Sequence, residues 1–188
     1  MLIKNLRLSF PNLFQPDAFD ANQKPKFGAT FILDKSDPQV AVIREHMNDV
    51  GRQKWGTKWD DQKFRSSVTA CIRDGSDKSH LDGFSEDNIF FNASNPKRPT
   101  VVDRDRSAIA EEDGKIYAGC FVNASVEFWV QDNQYGKRIN ASLRGVQFAD
   151  QGEAFGGGGS GNVEDDFEDI SGSDAEVVEE KATADFLA

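Results

Sequence analysis

Apolar and polar side chains alternate along most of the chain in the manner of short strands. Leu2, Leu6, Leu8 and Phe10 fall on one face of a two-residue repeat, and Phe27, Ala29, Phe31 and Leu33 repeat the pattern, so both segments are predicted to be half-buried strands. Residues 11–25, polar and bounded by Pro11 and Pro25, are predicted as the loop between them. The period then changes. Asp37 offers an N-cap carboxylate, Pro38 suits the first helical position, and Val40, Ile43, Met47 and Val50 recur at helical spacing, with Gly51 or Gly56 to close the helix. Residues 64–72 and 88–94 read as strands, with turn chemistry between them at Asp74-Gly75 and Asp82-Gly83, and Val101-Val102 reads as a short strand.

A hairpin about DNQYGK gives the sharpest pattern. In CFVNASVEFWVQ, Val122, Ala124, Val126, Phe128 and Val130 share one face, which leaves Asn123, Ser125, Glu127 and Trp129 on the other. After the turn, Ile139, Ala141 and Leu143 alternate with Arg138, Asn140, Ser142 and Arg144; the pattern slips by one at Gly145 before Val146 and Phe148, as a bulge would make it do. Both apolar faces reach one core only if the loop holds an even number of residues, a condition met by residues 133–136, with Gly136 supplying a positive φ. Trp129, Arg138 and Arg144 are therefore expected on one outer face, with Tyr135, Lys137 and Arg138 at or beside the tip.

One helix among many strands and turns makes the chain mainly β, a small barrel or sandwich decorated with a helix and extra loops. Charge then divides it. Residues 1–150 carry 21 Lys and Arg against 21 Asp and Glu, whereas residues 151–188 carry one against 11. The expected organisation is a single domain at 1–150, a Gly-rich linker at 151–161 and a disordered acidic tail at 162–188. Such a tail, tethered to a folded body, can compete for whatever anion the body binds. Within it, Asp185 and Phe186, followed by Leu187, form a candidate docking segment for a basic, apolar pocket on a partner. No run approaches the roughly 18 consecutive apolar residues of a membrane span, and MLIKNLRLSF lacks the features of a secretory leader, so no membrane partner and a cytosolic setting are expected. Cys71, Cys120, His46 and His80 are too few and too scattered for a zinc cluster or a disulfide framework, and no cofactor is implied.

Single-stranded nucleic acid needs cations for its backbone and aromatic faces for its bases, and three segments supply candidates. Trp129, Tyr135, Lys137, Arg138 and Arg144 lie on the hairpin. RQKWGTKWDDQKFR interleaves Trp55 and Trp59 with Lys58, Lys63 and Arg65; two tryptophans beside a glycine either pack on the body or meet a ligand. In NPKRPTVVDRDR, prolines hold Lys97 and Arg98 extended, and Arg104 and Arg106 alternate with Asp103 and Asp105. An enzymatic alternative is a magnesium-dependent nuclease using Asp103 and Asp105, although those carboxylates interleave with arginines. With two histidines in the chain, no nucleophilic triad is readable, and GGGGSG lacks the lysine and helix of a phosphate loop.

The runs NLRLSFPNLF, KFGATFILDK, FFNASNPKRPTVVDRDRS, GKIYAGCFVNASVEFW and DNQYGKRINASLRGVQF resemble a family of tailed-bacteriophage single-stranded DNA-binding proteins, over nearly the whole body. The resemblance implies an OB-like five-stranded barrel and non-enzymatic, sequence-independent binding of single-stranded DNA during phage replication or recombination, in the cytoplasm of an infected bacterial host. It also implies an acidic tail that contacts phage replication proteins such as a polymerase or a helicase/primase. Among the matching positions it offers Lys97, Arg98, Arg104, Arg106, Trp129, Tyr135, Lys137 and Arg138 as candidate contacts. A strand-annealing recombination protein would need the same groove and stays open, as do a dimer and a cooperative assembly on DNA.

Overall fold

The computed structural model describes residues 1–18 and 24–156. The expected tail at 162–188, with Asp185 and Phe186, lies outside the described residues. Strands β1 (Leu2–Asp17) and β2 (Lys26–Asp34) lead into helix α1 (Pro38–Trp55), a 3₁₀ turn (Gly56–Asp60) and a short helix α2 (Gln62–Ser66). The short strands β3 (Thr69–Ala70) and β4 (Ile72–Asp74) come next, then β5 (Asn88–Asn95), β6 (Thr100–Val102), β7 (Phe121–Asn133) and β8 (Gly136–Asp150). β8 pairs with β7, β7 with β1, β1 with β2 and β2 with β5, all antiparallel, and a parallel pairing of Ala93 with Ala141 returns β5 to β8. The result is a closed five-stranded, OB-like barrel, in which no main strand is left with an open edge. Phe31 and Phe91 stack at its centre with ring centroids 5.3 Å apart. Leu6, Leu8, Val122, Val126 and Leu143 are fully buried around them, each contributing roughly 1.5–3 kcal/mol.

β1 departs from its expected pattern at both ends. Ile3, Leu6, Leu8 and Leu13 face the core, whereas Leu2 and Phe10 point outward. The register shifts between Ile3 and Leu6 and again between Ser9 and Asn12, at Asn5 (φ 55°) and Phe10 (φ 48°), and each inserted residue moves the following side chains to the other face. Through these bends β1 continues to Asp17, across what the sequence alone marks as a loop.

α1 forms as its sequence dictates. Asp37 Oδ1 accepts from the Gln39 N–H at 2.8 Å, Pro38 begins the helix, and Val40, Ile43 and Met47 are buried. Gly56 closes it; Gly51 instead lies inside, where an added Cβ would stand 2.5 Å from the Trp59 ring. The strand expected at residues 64–72 is instead helical at its start, because Asp61 accepts from the Lys63 N–H at 2.8 Å and caps α2.

The β7–β8 hairpin keeps the expected parity with a tighter turn. Asn133 pairs with Gly136, leaving Gln134 and Tyr135 as a two-residue loop, and Gly136 has φ 113°. Ser125 pairs with Gly145 and Val126 with Leu143, so Arg144 is the extra residue of the bulge. The body continues past Asp150 rather than giving way to linker there. Gly152 donates to and accepts from the Tyr117 hydroxyl, and the Phe155 N–H donates to Ala118 O at 2.8 Å. Phe155 itself packs against Ile32, Phe84 and Phe90 on the outside of the barrel.

Candidate nucleic-acid interface

Two depressions meet on the outer face of the barrel. The first, about 440 Å³, has Asn92 and Ser94 of β5 and Asn140 and Ser142 of β8 in its floor; Trp129 and Gln131 of β7, Arg138 of β8 with its register partner Thr69, and Cys71 and Arg73 also line it. The second, about 550 Å³, runs from Lys26 and Thr30 to Phe10 and Lys78. Lys26, Asn92 and Ser94 belong to both, so they form one groove across β2, β5, β8 and β7. Among the described residues its lining includes the cations Lys24, Lys26, Arg73, Lys78 and Arg138 against one carboxylate, that of Asp17. Five positive charges over a floor of amides and hydroxyls suit a polyanion.

The aromatic ends come from different causes. Trp129 sits 43% exposed because β7 alternates and its cross-strand partner, Asn140, shares the outer face. Phe10 is 50% exposed because the left-handed backbone at that residue turns its ring out of the core. Lys78 Nζ lies 5.0 Å from the Phe10 centroid, 5.0 Å from Phe90 and 5.3 Å from Phe84, an ammonium held among three rings. Burial there, with Arg73 nearby, lowers its pKa from the usual lysine value.

The sequence-predicted residues divide. Trp129 and Arg138 line the groove. Arg144 lies on the same hairpin face but pairs with Glu127 at 2.8 Å, and Lys137 lies 3.8 Å from Asp132. Tyr135 is 73% exposed at the tip. Lys97 and Arg98 follow Pro96 at the groove's end, where the Arg98 guanidinium lies 5.5 Å from the Phe14 ring.

Other candidates lie elsewhere. Trp59 is 5% exposed, so it is no open platform for bases: it stacks on Trp55 with centroids 5.2 Å apart and fills the space left by Gly51. Trp55 is half-buried, edged by Phe64, and donates its indole N–H to Asp132 at 2.8 Å. The pair fastens the helical excursion to β7. Lys58 and Lys63 are exposed on that excursion, and Arg65 borders a separate cleft beside it. Arg104 bonds Ala149 O and pairs with Asp150 at 2.9 Å, nine residues along β8 from Trp129's partner. That is roughly 30 Å of strand, and Arg106 lies in the turn beside Arg104, so the fold does not bring these two arginines to the groove. Asp103 is bound to Lys115 and Asp105 accepts from Ser107; these hydrogen bonds hold both carboxyls below their usual range.

Sequence reasoning missed Phe10, Lys26, Arg73 and Lys78. Phe10 carried a misleading signal, since a strict two-residue repeat places it inside. Lys78 and Arg73 carried none, because only β4 and the turn after it fold them back over β5.

A closed five-stranded barrel with an aromatic and cationic groove across its outer strands defines the class of OB-like single-strand-binding barrels. The chain matches the model of the Enterobacter phage Enc34 ssDNA-binding protein family over residues 1–180 and belongs to that family. It is 41% identical over 182 residues to putative protein p50 of Acyrthosiphon pisum secondary endosymbiont phage 1, covering 94% of this chain and 96% of that one. Among solved structures it resembles the single-stranded DNA-binding protein of bacteriophage Enc34 in complex with ssDNA (26% identity, TM-score 0.65, 82% of this chain and 88% of that one). In fold it also resembles gp2.5 of bacteriophage T7, a single-stranded DNA-binding protein, with 12% identity, TM-score 0.57 and coverage of 81% of this chain and 91% of that one. The family and these structural relatives are binding proteins, not enzymes.

Proposed function

We propose that the protein binds single-stranded DNA without sequence preference, in phage replication or recombination within an infected bacterial cell. The strand is laid across the groove between Trp129 and Phe10. The observation that carries this reading is the continuity of the two depressions, which joins an exposed ring at each end through Lys26, Asn92 and Ser94. Phosphates are drawn in by Arg138, Arg73, Lys26 and Lys78, and bases stack on the rings at roughly 1–3 kcal/mol each. The polar floor supplies adaptable hydrogen bonds, which supports tolerance of any base. The acidic tail competes with DNA for these cations and docks replication proteins when DNA displaces it; the charge division between residues 1–150 and 151–188 supports this. Anisotropy titration with oligothymidylate at several salt concentrations tests the reading. Binding that tightens steeply as salt falls is expected, and affinity no better than for a neutral polymer would refute it.

A further inference from the structure

Besides the groove, the barrel carries an apolar cleft of about 360 Å³ between α1, α2 and the β3–β4 segment. Met47, Trp59, Val68, Ile72 and Ile139 line it, and Arg44 and Arg65 stand at its rim. That volume falls at the low end of ligand sites, roughly 300–1,000 Å³. Both arginines are exposed, and neither makes an ion pair among the described residues. Among the described residues the lining holds no carboxylate; nearby, Asp49 and Asp60 face Arg52 at 4.0 and 3.9 Å, Asp61 caps α2, and Glu45 is exposed beside Arg44 on α1. The rim is therefore positive over an apolar floor. Ala70 and Ile139 line both this cleft and the groove, so the two share a wall.

We propose that this cleft seats the chain's own Asp185-Phe186-Leu187 segment, with the ring on the apolar floor and the carboxylate on Arg44 and Arg65. The inference rests on the reading that the tail opposes DNA binding, and it supplies the place where the tail is held. Charge matches, since residues 157–188 carry 10 Asp and Glu against one Lys. Reach selects the segment. The described residues end at Gly156, beside Asp82, and Phe155 shares Arg7 with Phe121 at the start of β7. Ile139 pairs with Val130, nine residues further along β7, or roughly 30 Å away. Phe167, 11 residues past Gly156, would need a fully extended chain of roughly 36–40 Å, with almost no length left to round the barrel. Phe186, 30 residues past it, has roughly 100 Å. With Phe186 seated in the cleft, the acids that precede it are brought up to the wall that the cleft shares with the groove.

The test uses the full chain with p-benzoylphenylalanine at position 186, irradiated without DNA at low salt in a mixture of isotopically light and heavy protein. Crosslinks to Met47, Val68 or Ile72 within one chain are expected, with the yield falling at least fivefold in Arg44→Glu/Arg65→Glu, whose unfolding curve confirms folding. Crosslinks to Trp129 or Lys78, crosslinks that join light to heavy chains, or none at all would overturn the assignment. Oligothymidylate affinity with and without the residues after 161 tests the competition reading separately. Raised affinity combined with crosslinks outside the cleft would keep that reading and remove the cleft; unchanged affinity would refute competition wherever the crosslinks fall.

Discussion

The guanidinium carbon of Arg7 lies 4.6 Å from the ring centroid of Phe155, on the stretch after β8, and 4.9 Å from that of Phe121 at the start of β7. Arg7 Nη2 also donates to Glu153 O at 2.8 Å. Gly83, at φ 83°, leaves room for the ring, since a Cβ there would stand 2.2 Å from Phe155. The stretch after β8 is thus latched to the barrel by a cation held between two rings.

Phe155→Ala should therefore lower the unfolding free energy by about 1–3 kcal/mol, less than a fully buried phenylalanine because the ring is only partly enclosed. Gly83→Ala should act in the same direction, through both the left-handed backbone and the collision with Phe155. Urea unfolding measures both. A chain ending at residue 150 should unfold at lower urea than one ending at 156; equal midpoints would show that the latch adds nothing.

The tryptophans should separate by experiment as they do in the fold. Trp129→Ala removes an exposed ring from the groove and should weaken oligothymidylate binding by about 1–3 kcal/mol, or 5- to 150-fold, with little change in stability. Trp59→Ala empties the space beside Gly51 and should cost about 3–5 kcal/mol of stability. Anisotropy and urea unfolding on both variants decide it; a Trp59→Ala variant of normal stability with selectively lost affinity would reverse the assignment.

That contrast also shows what the sequence could convey. The hairpin was legible because alternation, loop parity and the slip at Gly145 each constrain which face Trp129 and Arg138 occupy, and all three agree. Trp55 and Trp59 were not, since two rings among lysines and arginines look alike whether open or stacked on each other; the deciding fact is a helical glycine eight residues before Trp59 that admits its ring. Phe10 was misplaced by the very rule that placed Trp129, because bulges at Asn5 and Phe10 break the period; asparagine is among the residues that tolerate a left-handed backbone, but phenylalanine gives no sign of one. The Lys78 cage joins residues separated by up to 80 positions along the chain, and no local pattern encodes it.

Position in the groove should also show in the salt dependence. Each phosphate neutralised on a single strand contributes roughly 0.7 to the slope of log affinity against log salt. Arg138→Gln should reduce the slope by about that amount, whereas Arg104→Gln, held by Asp150 at the far end of β8, should leave it unchanged. Titrations at four or more salt concentrations resolve the difference; equal losses in the two variants would place DNA on both ends of the strand.

Cys71 provides a chemical probe of the same groove. Burial pushes its thiol up to about 12, so the thiolate fraction at pH 8 is on the order of 10⁻⁴. Alkylation by iodoacetamide should be on the order of a thousandfold slower than for an unperturbed thiol, and should rise tenfold per pH unit until about pH 12 or until the fold opens. Bound oligothymidylate should slow it further, because Cys71 lines the groove. Mass spectrometry of the quenched reaction gives the rate; fast labelling of folded protein at pH 8 would contradict the burial.

Phe10 sets stability against function at one position. A left-handed backbone costs a residue with a Cβ about 1–2 kcal/mol, and glycine avoids that cost. The exposed ring gives back about 0.5–1 kcal/mol through the Lys78 ammonium, together with whatever area it covers. Phe10→Gly should thus change the unfolding free energy by less than about 1 kcal/mol, although it deletes a large apolar side chain. Oligothymidylate affinity should nonetheless fall by about 1–3 kcal/mol, since the ring at one end of the groove is gone. Phe10→Leu, which keeps the strain and an apolar side chain but loses the flat face, should bind as weakly as Phe10→Gly and be no more stable. If Phe10→Gly bound with wild-type affinity, the strained backbone would have to serve folding rather than the strand, and the groove would end at Lys26.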